Sequence, residues 1–244
     1  IIIQIINIIF FKTIYKIKLF WNFIMHDPIK NLLKISDNVK GKLSTAKNLN
    51  KIPKIIAVSK TFKMESIYPL IEYGHVDFGE NKVQEAQEKW TEIKQKNKKI
   101  KLHLIGRLQT NKVKIAVKLF DYIHSLDSKK LADKISKYQK EQNLKKKMFI
   151  QVNIGGEDQK SGIQKDELPD FYNYCKNLDL DILGLMCIPP FNKDSSSYFQ
   201  EMKDLSKKFN LKDLSMGMSS DYIDAIENGS TYVRIGSNIF GQRA

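Results

Sequence analysis

The sequence predicts a single (β/α)8 barrel, also called a TIM barrel, from three observations. Short apolar runs alternate with amphipathic stretches of helical periodicity, which is typical of strands and helices in strict β/α order. About eight such units occur within 244 residues, a length that α/β barrels commonly use as one domain. No linker rich in proline, glycine or serine divides the chain. An open, doubly wound parallel sheet is the alternative architecture.

The first predicted elements are a lead-in helix and a buried strand. Apolar residues recur at helical spacing over residues 27–47, with Pro28 just inside the start, where proline is favoured. The run IIAVSKT at residues 55–61 is apolar and β-branched at its beginning, which is typical of a strand buried on both faces. It ends on Lys60, where such a strand would emerge at the edge of the barrel.

The remaining elements follow in order along the chain. Apolar runs predict strands at residues 76–79, 102–106, 122–126, 148–153, 182–186, 214–217 and 232–236. Helical periodicity predicts helices at about 64–73, 82–97, 110–119, 129–142, 166–178, 194–209 and 221–228. Every strand except the last is thus followed by a helix, and this alternation with short connections implies parallel strands.

The composition is that of a globular protein, with 42% hydrophobic and 28% charged residues. The formal net charge of +14 could indicate nucleic-acid binding, but the lysines are scattered among acidic residues and form no basic run interleaved with aromatic residues. We therefore expect no specific nucleic-acid binding. The two cysteines, Cys175 and Cys187, match no metal-ligand spacing and indicate reduced, buried thiols of a cytosolic protein.

Residues 1–24 differ from the rest of the chain. They begin with an almost continuously apolar run, which Lys12 and two further lysines interrupt well short of the roughly 20 apolar residues of a membrane helix. A signal peptide is not indicated, because the positive charges follow the apolar part. We predict that residues 25–244 form the barrel and that a chain starting at Met25 keeps the same melting temperature. An interfacial membrane helix is the alternative for this leader.

Polar residues gather at the carboxyl ends of the predicted strands, where the reacting groups of a (β/α)8 barrel lie. Lys60 ends the first strand, Asn81 the second and Asn153 the fifth. The sequences SMGMS at 215–219 and RIGS at 234–237 follow the seventh and eighth strands. Their glycines and serines suit a phosphate, because glycine lets backbone amides approach an anion and serine adds a hydroxyl donor. Further polar residues at strand ends are Glu80, Arg107, Gln109, Thr110, Asn111, Ser125 and Asp127.

Each of these features has an ordinary structural explanation when it is taken alone. A lysine at a strand end often only extends to solvent, and a Ser-Met-Gly-Met-Ser segment is more often a turn with a helix N-cap. When the lysine and the two loops occur together on one face of the same barrel, they favour a cofactor that carries both an aldehyde and a phosphate. The lysine, when neutral, would form a Schiff base with the aldehyde, and the loops would hold the phosphate. Pyridoxal 5'-phosphate is the candidate that fits.

Several motifs also match those of a known family and occur in the same order along the chain. They are AVSKT (57–61), FGEN (78–81) with VQE (83–85), HLIG (103–106) with LQTNK (108–112), QVN (151–153), GLM (184–186), LSMGMS (214–219), and VRIG (233–236) with IFG (239–241). Through these motifs, the chain resembles the pyridoxal phosphate homeostasis protein family over residues 27–243. The resemblance implies a barrel like the amino-terminal domain of alanine racemase, with pyridoxal phosphate held as an internal aldimine on Lys60.

The resemblance implies roles for the other residues as well. Arg234 would face the pyridine nitrogen of the cofactor, where a permanent positive charge disfavours protonation of that nitrogen. A salt bridge inside the barrel rim is the alternative for this arginine. Arg107 stands where the family has a glycine-rich or proline position, and residues 1–24 have no counterpart in the family. The phosphate would be held by Ser219, Gly236 and Ser237, and the pocket would also be lined by Ser215 and Asn81.

Two classes of function compete for such a site. Racemases of this fold use a tyrosine from a second, β-rich domain as a second acid or base. Because this chain ends soon after Gly241, we expect a carrier that acts in vitamin B6 homeostasis and has no catalytic residues, with a weak amino-acid racemase as the alternative. We expect a cytoplasmic monomer with no metal site and no stable membrane span. Its partners would be pyridoxal phosphate and, as candidate recipients, enzymes that use this cofactor.

Overall fold

The computed structural model describes residues 27–45, 52–157, 159–191 and 193–242. The strands are β1 (Lys54–Val58), β2 (Asp77–Glu80), β3 (Lys101–Leu104), β4 (Tyr122–Leu126), β5 (Lys147–Gln151), β6 (Asp181–Met186), β7 (Asp213–Ser215) and β8 (Tyr232–Ile235). The helices are α1 (Asp27–Thr45), α2 (Met64–Tyr73), α3 (Val83–Lys96), α4 (Val113–Leu119), α5 (Lys129–Glu141), α6 (Leu168–Asn177), α7 (Ser195–Lys208), α8 (Tyr222–Glu227) and α9 (Ser237–Phe240). The predicted leader, residues 1–24, lies outside these described residues.

Within the described part of the chain, the strands form one closed parallel barrel in sequence order, from β1 to β8. The barrel closes where β1 pairs with β8, with Ile56 opposite Arg234. The predicted (β/α)8 barrel is therefore confirmed, and the open sheet is excluded because that architecture leaves its two edge strands unpaired.

Two details differ from the predicted elements. The chain forms the short helix α9 after β8, where no helix was predicted, because four residues are too few to show helical periodicity. Strand β1 ends at Val58, so Lys60 lies in the turn that follows the strand rather than at its last position. Sequence patterns locate such boundaries only to within a few residues.

Short local signals end and begin the helices. Helix α2 ends at Gly74, whose φ of 98° is the left-handed conformation that glycine adopts at little cost. Helix α7 begins after Asp194, whose side chain accepts a hydrogen bond from the backbone N–H of Ser196 at 3.1 Å. The first of these caps ends a helix and the second begins one, so both boundaries are set by local sequence.

The protein has two apolar layers, one between the strands and the surrounding helices and one inside the barrel. The outer layer includes Phe78 and Trp90, whose ring centroids lie 4.8 Å apart and which are fully buried. The inner cluster is formed by Ile56, Tyr122, Phe149, Met186 and Tyr232. The interior of the barrel is thus a packed core rather than a channel.

Helix α1 packs against α2, α8 and α9. Asn31 donates to the backbone oxygen of Ile239 at 3.0 Å, and Asn38 donates to the hydroxyl of Tyr222 at 3.1 Å. No helix among the described residues is both long enough and apolar enough to cross a bilayer.

The two cysteines are buried free thiols, as the sequence predicts. Burial raises the pKa of both Cys175 and Cys187 to about 12. Both side chains therefore remain protonated and unreactive at neutral pH.

Candidate functional site

A cavity of about 470 Å³ lies at the carboxyl ends of the strands. Its polar walls come mainly from the loops after β1, β2, β7 and β8, and its apolar walls come partly from the ends of β1 and β3. This is the end of the barrel at which the sequence predicts a site. The lining residues are Val58, Lys60, Phe62, Asn81, Ile105, Ile188, Met218, Ser219, Ser220, Arg234, Gly236, Ser237, Gly241 and Gln242.

Lys60 lines this cavity from the turn after β1. The residue before it, Ser59, is fixed to β2 because its backbone N–H donates to the oxygen of Gly79 at 2.9 Å. The residue after it, Thr61, has a φ of 68°, a left-handed conformation that is uncommon for a β-branched side chain. The backbone N–H of Thr61 donates to the carboxylate of Glu85. Both neighbours of Lys60 are therefore held by hydrogen bonds.

A second lysine, Lys89 on α3, supports the same turn. Its ammonium group donates to the backbone oxygens of Ser59 at 2.8 Å and Phe62 at 3.3 Å. It also forms ion pairs with Glu80 at 2.7 Å and Glu85 at 3.0 Å. We infer that Lys89 positions the Lys60 turn. This role was not predicted from the sequence, because Lys89 lies on a helix and not at a strand end.

Glu80 is fully buried at the end of β2 and does not line the cavity. Its Oε1 accepts hydrogen bonds from the hydroxyl of Ser59 at 2.7 Å and from the indole of Trp90 at 3.0 Å. Burial raises the pKa of Glu80, and the nearby ammonium of Lys89 and these two hydrogen bonds offset that effect only in part. This strand-end carboxylate therefore belongs to the support of the Lys60 turn.

Arg234 carries a buried positive charge, and its side chain forms part of the cavity wall. Its Nη1 donates to the backbone oxygen of Ser215 at 2.6 Å and to the hydroxyl of Ser215 at 2.8 Å, and its Nη2 donates to the backbone oxygen of Cys187 at 2.9 Å. No carboxylate of the described residues lies within 4.0 Å of this guanidinium, so the described part of the chain offers no support for the alternative of a salt bridge. Burial lowers the pKa of Arg234, but a guanidinium stays protonated in proteins.

The loops after β7 and β8 are joined to each other beside the cavity. The hydroxyl of Ser219 accepts hydrogen bonds from the backbone N–H groups of Gly236 at 3.3 Å and Asn238 at 3.4 Å. The side chain of Asn238 in turn donates to the backbone oxygen of Ser219 at 2.7 Å. Gly217 has a φ of 89°, so glycine is required where the first of these loops turns. Hydroxyl and amide donors thus converge on one side of the cavity, together with Ser237.

The structure brings all but one of the predicted site residues to the lining of this cavity. The exception is Ser215, which is fully buried and binds Arg234 instead of facing the cavity. Arg107 is exposed and does not line the cavity. The residues that line it are Lys60, Asn81, Ser219, Arg234, Gly236 and Ser237.

The apolar walls of the cavity were not predicted from the sequence. Val58 and Ile105 lie at or just after strand ends, and Phe62 stacks on Phe240 of α9 with their ring centroids 4.9 Å apart. Apolar residues near strand ends are common throughout a barrel, so the sequence offers no signal that singles these out. The walls are Val58, Phe62, Ile105, Ile188 and Met218.

Comparison with known sequences gives one consistent family. The family model of the alanine racemase N-terminal domain matches residues 32–244. The pyridoxal phosphate homeostasis protein of Pasteurella multocida (strain Pm70) is 39% identical over 225 residues, which cover 88% of this chain and 97% of that protein. The protein of the same name from Aquifex aeolicus (strain VF5) is 37% identical over 224 residues, again covering 88% and 97% of the two chains.

Comparison with solved structures agrees. PipY of Synechococcus elongatus PCC7942, in its structure with PLP bound, has a TM-score of 0.71 and 31% identity, and the match covers 83% of this chain and 100% of that one. An alanine racemase of Clostridium difficile 630 has a TM-score of 0.64 at 16% identity, a likeness of fold alone that covers 85% of this chain and 57% of the racemase. Since the family model and relatives of more than 35% identity both extend over most of the sequence, the chain belongs to the pyridoxal phosphate homeostasis protein family, with the barrel of the alanine racemase N-terminal domain.

Proposed function

We propose that this chain binds pyridoxal 5'-phosphate in the cavity, holds it covalently through Lys60, and serves intracellular pyridoxal phosphate homeostasis. The observation that carries this proposal is that a lysine, a buried arginine, and a group of hydroxyl and amide donors line the same cavity. The shared name of the two curated relatives and the PLP-bound structure of PipY support it.

The residues of the cavity fit each part of this cofactor. When bound, pyridoxal phosphate supplies an aldehyde that reacts reversibly with amines. Lys60 offers the amine, and the apolar walls formed by Val58 and Ile105 suit an aromatic ring. Neither aspartate nor glutamate occurs among the described lining residues, so no carboxylate of this lining would repel a phosphate group. Its donors would be Ser219, Gly236 and Ser237.

Arg234 is proposed to face the ring nitrogen of the cofactor, and its charge would limit the chemistry that the site can support. The guanidinium is buried, and no carboxylate of the described residues lies within ion-pair distance of it. A second positive charge nearby is therefore disfavoured, and this includes a proton on the ring nitrogen. An unprotonated ring withdraws electrons less strongly, which suits a protein that holds the cofactor more than one that uses it for catalysis.

The phosphate donors can be tested by replacing Gly236 with valine. A Cβ at Gly236 would lie 3.4 Å from the Cβ of Val58, so a branched side chain must displace the loop that carries the proposed donors. We expect the affinity for pyridoxal phosphate to fall by roughly 10- to 100-fold, the effect of losing about 1.5–3 kcal/mol of hydrogen bonding to a charged group. Binding of unphosphorylated pyridoxal should hardly change, and titration calorimetry with both ligands measures the difference.

Gly236→Ala is the matched control for this prediction. Its single Cβ makes only ordinary van der Waals contact with Val58, and Gly236 has a φ of −113°, which alanine adopts readily. Its effect should therefore be much smaller than that of valine. Equal losses of affinity for the phosphorylated and the unphosphorylated ligand would contradict the role of this loop.

A carrier and a racemase differ in the number of acid–base groups around the cofactor. Racemisation removes a proton from one face of the amino acid and returns it to the other, which needs a group on each face. Lys60 is the only lysine among the described lining residues, and these include no histidine, tyrosine, aspartate or glutamate. We therefore expect negligible conversion of L-alanine to D-alanine by the purified protein, measured by chiral chromatography. Robust conversion that Lys60→Ala abolishes would instead establish a racemase.

We further propose that the protein acts as a cytoplasmic monomer and that enzymes requiring pyridoxal phosphate receive the cofactor from it. The protonated, buried thiols of Cys175 and Cys187 support a reducing compartment. Loss of the protein in cells should then disturb the balance of B6 vitamers, which can be measured by mass spectrometry. An unchanged vitamer balance in the deletion strain would contradict a role in homeostasis.

A further inference from the structure

A continuous series of buried polar side chains crosses the barrel interior from the cavity to the opposite end. It begins where Nη1 of Arg234 lies 2.8 Å from Oγ of Ser215. The same Oγ lies 2.8 Å from Nδ1 of His124. The other ring nitrogen of His124 lies 3.0 Å from Nδ1 of His103, whose Nε2 lies 3.0 Å from Oδ1 of Asp77. We call these five residues the core chain.

The two ends of the core chain fix the direction of every hydrogen bond in it. A guanidinium only donates and an ionised carboxylate only accepts. The carboxylate of Asp77 accepts from His103, so His103 carries its proton on Nε2. As a neutral ring, His103 then accepts on Nδ1 from Nε2–H of His124. Nδ1 of His124 is left as an acceptor, so the hydroxyl of Ser215 donates to it while accepting from Arg234. Both histidines are thus neutral Nε2–H tautomers.

The charges around the core chain agree with this assignment. Burial lowers the pKa of His124 well below its usual value, and the neighbouring His103 and Arg234 lower it further. Burial also lowers the pKa of His103, although Asp77 acts in the opposite direction. Burial would raise the pKa of Asp77, but the hydrogen bond from His103 and the positive charge of Lys54 act in the opposite direction, and the pKa is lowered overall. The carboxylate is therefore ionised and the imidazoles are neutral at pH 7.

Aromatic side chains hold the two imidazoles in place. The ring of His103 stacks on Tyr122 with centroids 4.3 Å apart, and the ring of His124 stacks on Phe149 with centroids 4.4 Å apart. Both histidines are fully buried. Because each ring plane is fixed by stacking, the ring nitrogens stay aligned with their hydrogen-bond partners.

We propose that Asp77, His103 and His124 are positioning residues of the cofactor site, which act through Ser215 to hold the guanidinium of Arg234 in place. A buried cation without an ion-pair partner needs oriented dipoles, and the core chain supplies them in a series that ends on a negative charge. The position of Arg234 beside the pyridine ring of the cofactor would thus depend on the carboxylate of Asp77, at the other end of the barrel. This inference rests on the proposed function only in placing the cofactor ring beside Arg234.

Nitrogen NMR on the unchanged protein tests the core chain without any cofactor. In ¹⁵N-labelled protein at pH 7, the ring-nitrogen shifts of both His103 and His124 should be those of a neutral ring protonated on Nε2. Signals are assigned by comparison with His103→Gln and His124→Gln variants. A ring protonated on Nδ1, or on both nitrogens, in either histidine would overturn the proposal.

Removing the carboxylate of Asp77, at the far end of the core chain, tests whether the core chain affects the cofactor site. Asp77→Ala should raise the Kd for pyridoxal phosphate and for unphosphorylated pyridoxal alike, by about tenfold, the factor that corresponds to roughly 1.4 kcal/mol. It should also shift the visible absorption of the bound cofactor. Asp181→Ala removes a carboxylate from the same end of the barrel, at the start of β6 and outside the core chain, and should change neither. Unchanged Kd and absorption in a folded Asp77→Ala protein would overturn the proposal.

A second pair of variants decides the matter if Asp77→Ala does not fold. His124→Gln keeps one acceptor and one donor, so it should retain most of the affinity for pyridoxal phosphate and the absorption of the bound cofactor. His124→Phe keeps the stacking surface but makes neither hydrogen bond, so it should lose both the affinity and the absorption. Equal behaviour of the two variants would contradict the proposal. If the unchanged protein binds no pyridoxal phosphate, the proposed function fails, while the NMR result still judges the core chain by itself.

Discussion

Replacing Lys60 with alanine should abolish the fixation of pyridoxal phosphate to the chain by borohydride. Borohydride reduces a Schiff base to a stable secondary amine, so it fixes the cofactor only where an amine has reacted with the aldehyde. In the unchanged protein, mass spectrometry of the reduced and digested chain should find the cofactor on the peptide that contains Lys60. The absorption band of the aldimine should disappear in the variant as well.

Lys63→Ala is the matched control for this experiment. Lys63 is exposed, lies three residues further along the same segment and does not line the cavity, so its loss should leave both the absorption and the fixation unchanged. Modification of another lysine in the unchanged protein, or of none, would refute the assignment of Lys60. Residual reversible binding by Lys60→Ala is expected, because the proposed phosphate donors remain.

Replacing Gly184 with alanine should produce the largest loss of stability. Gly184 lies on β6 opposite Asp213 of β7, and an added Cβ would lie 1.7 Å from the backbone oxygen of Asp213. That oxygen belongs to a barrel strand and cannot move without opening the sheet. We expect the free energy of unfolding to fall by about 3 kcal/mol or more. The melting temperature should fall by about 6–12 °C, which differential scanning calorimetry measures.

Gly41→Ala provides the control, because it makes the same chemical change on the exposed surface of α1. A Cβ at Gly41 meets no atom within 4 Å. Alanine in a helix is favoured over glycine by about 0.5–1 kcal/mol, so this variant should be unchanged or slightly more stable. A melting temperature of Gly184→Ala equal to that of Gly41→Ala would show that β6 and β7 are not packed as described.

Local patterns were enough to predict the eight units of strand and helix and most of the candidate site. Short apolar runs mark the strands and a period of 3.6 residues marks the helices within each segment, as in the helix predicted at 129–142 and found at Lys129–Glu141. The carboxyl ends of parallel strands meet at one end of a barrel, so Lys60, Arg234 and Gly236 could be expected to lie together. The motifs around them were also specific enough to indicate the family.

The tertiary structure alone decided which partners the buried polar residues find. The partner of an inward-facing residue depends on the register between strands and on the closure of β1 with β8, neither of which is written in any local segment. Ser215 therefore binds Arg234 and a histidine 91 residues away instead of facing the cavity. Lys89 likewise reaches the turn of Lys60 from a helix, through a backbone oxygen 30 residues away. The sequence determined which groups lie at the end of the barrel, and packing determined which of them face the cavity and which hold the others in place.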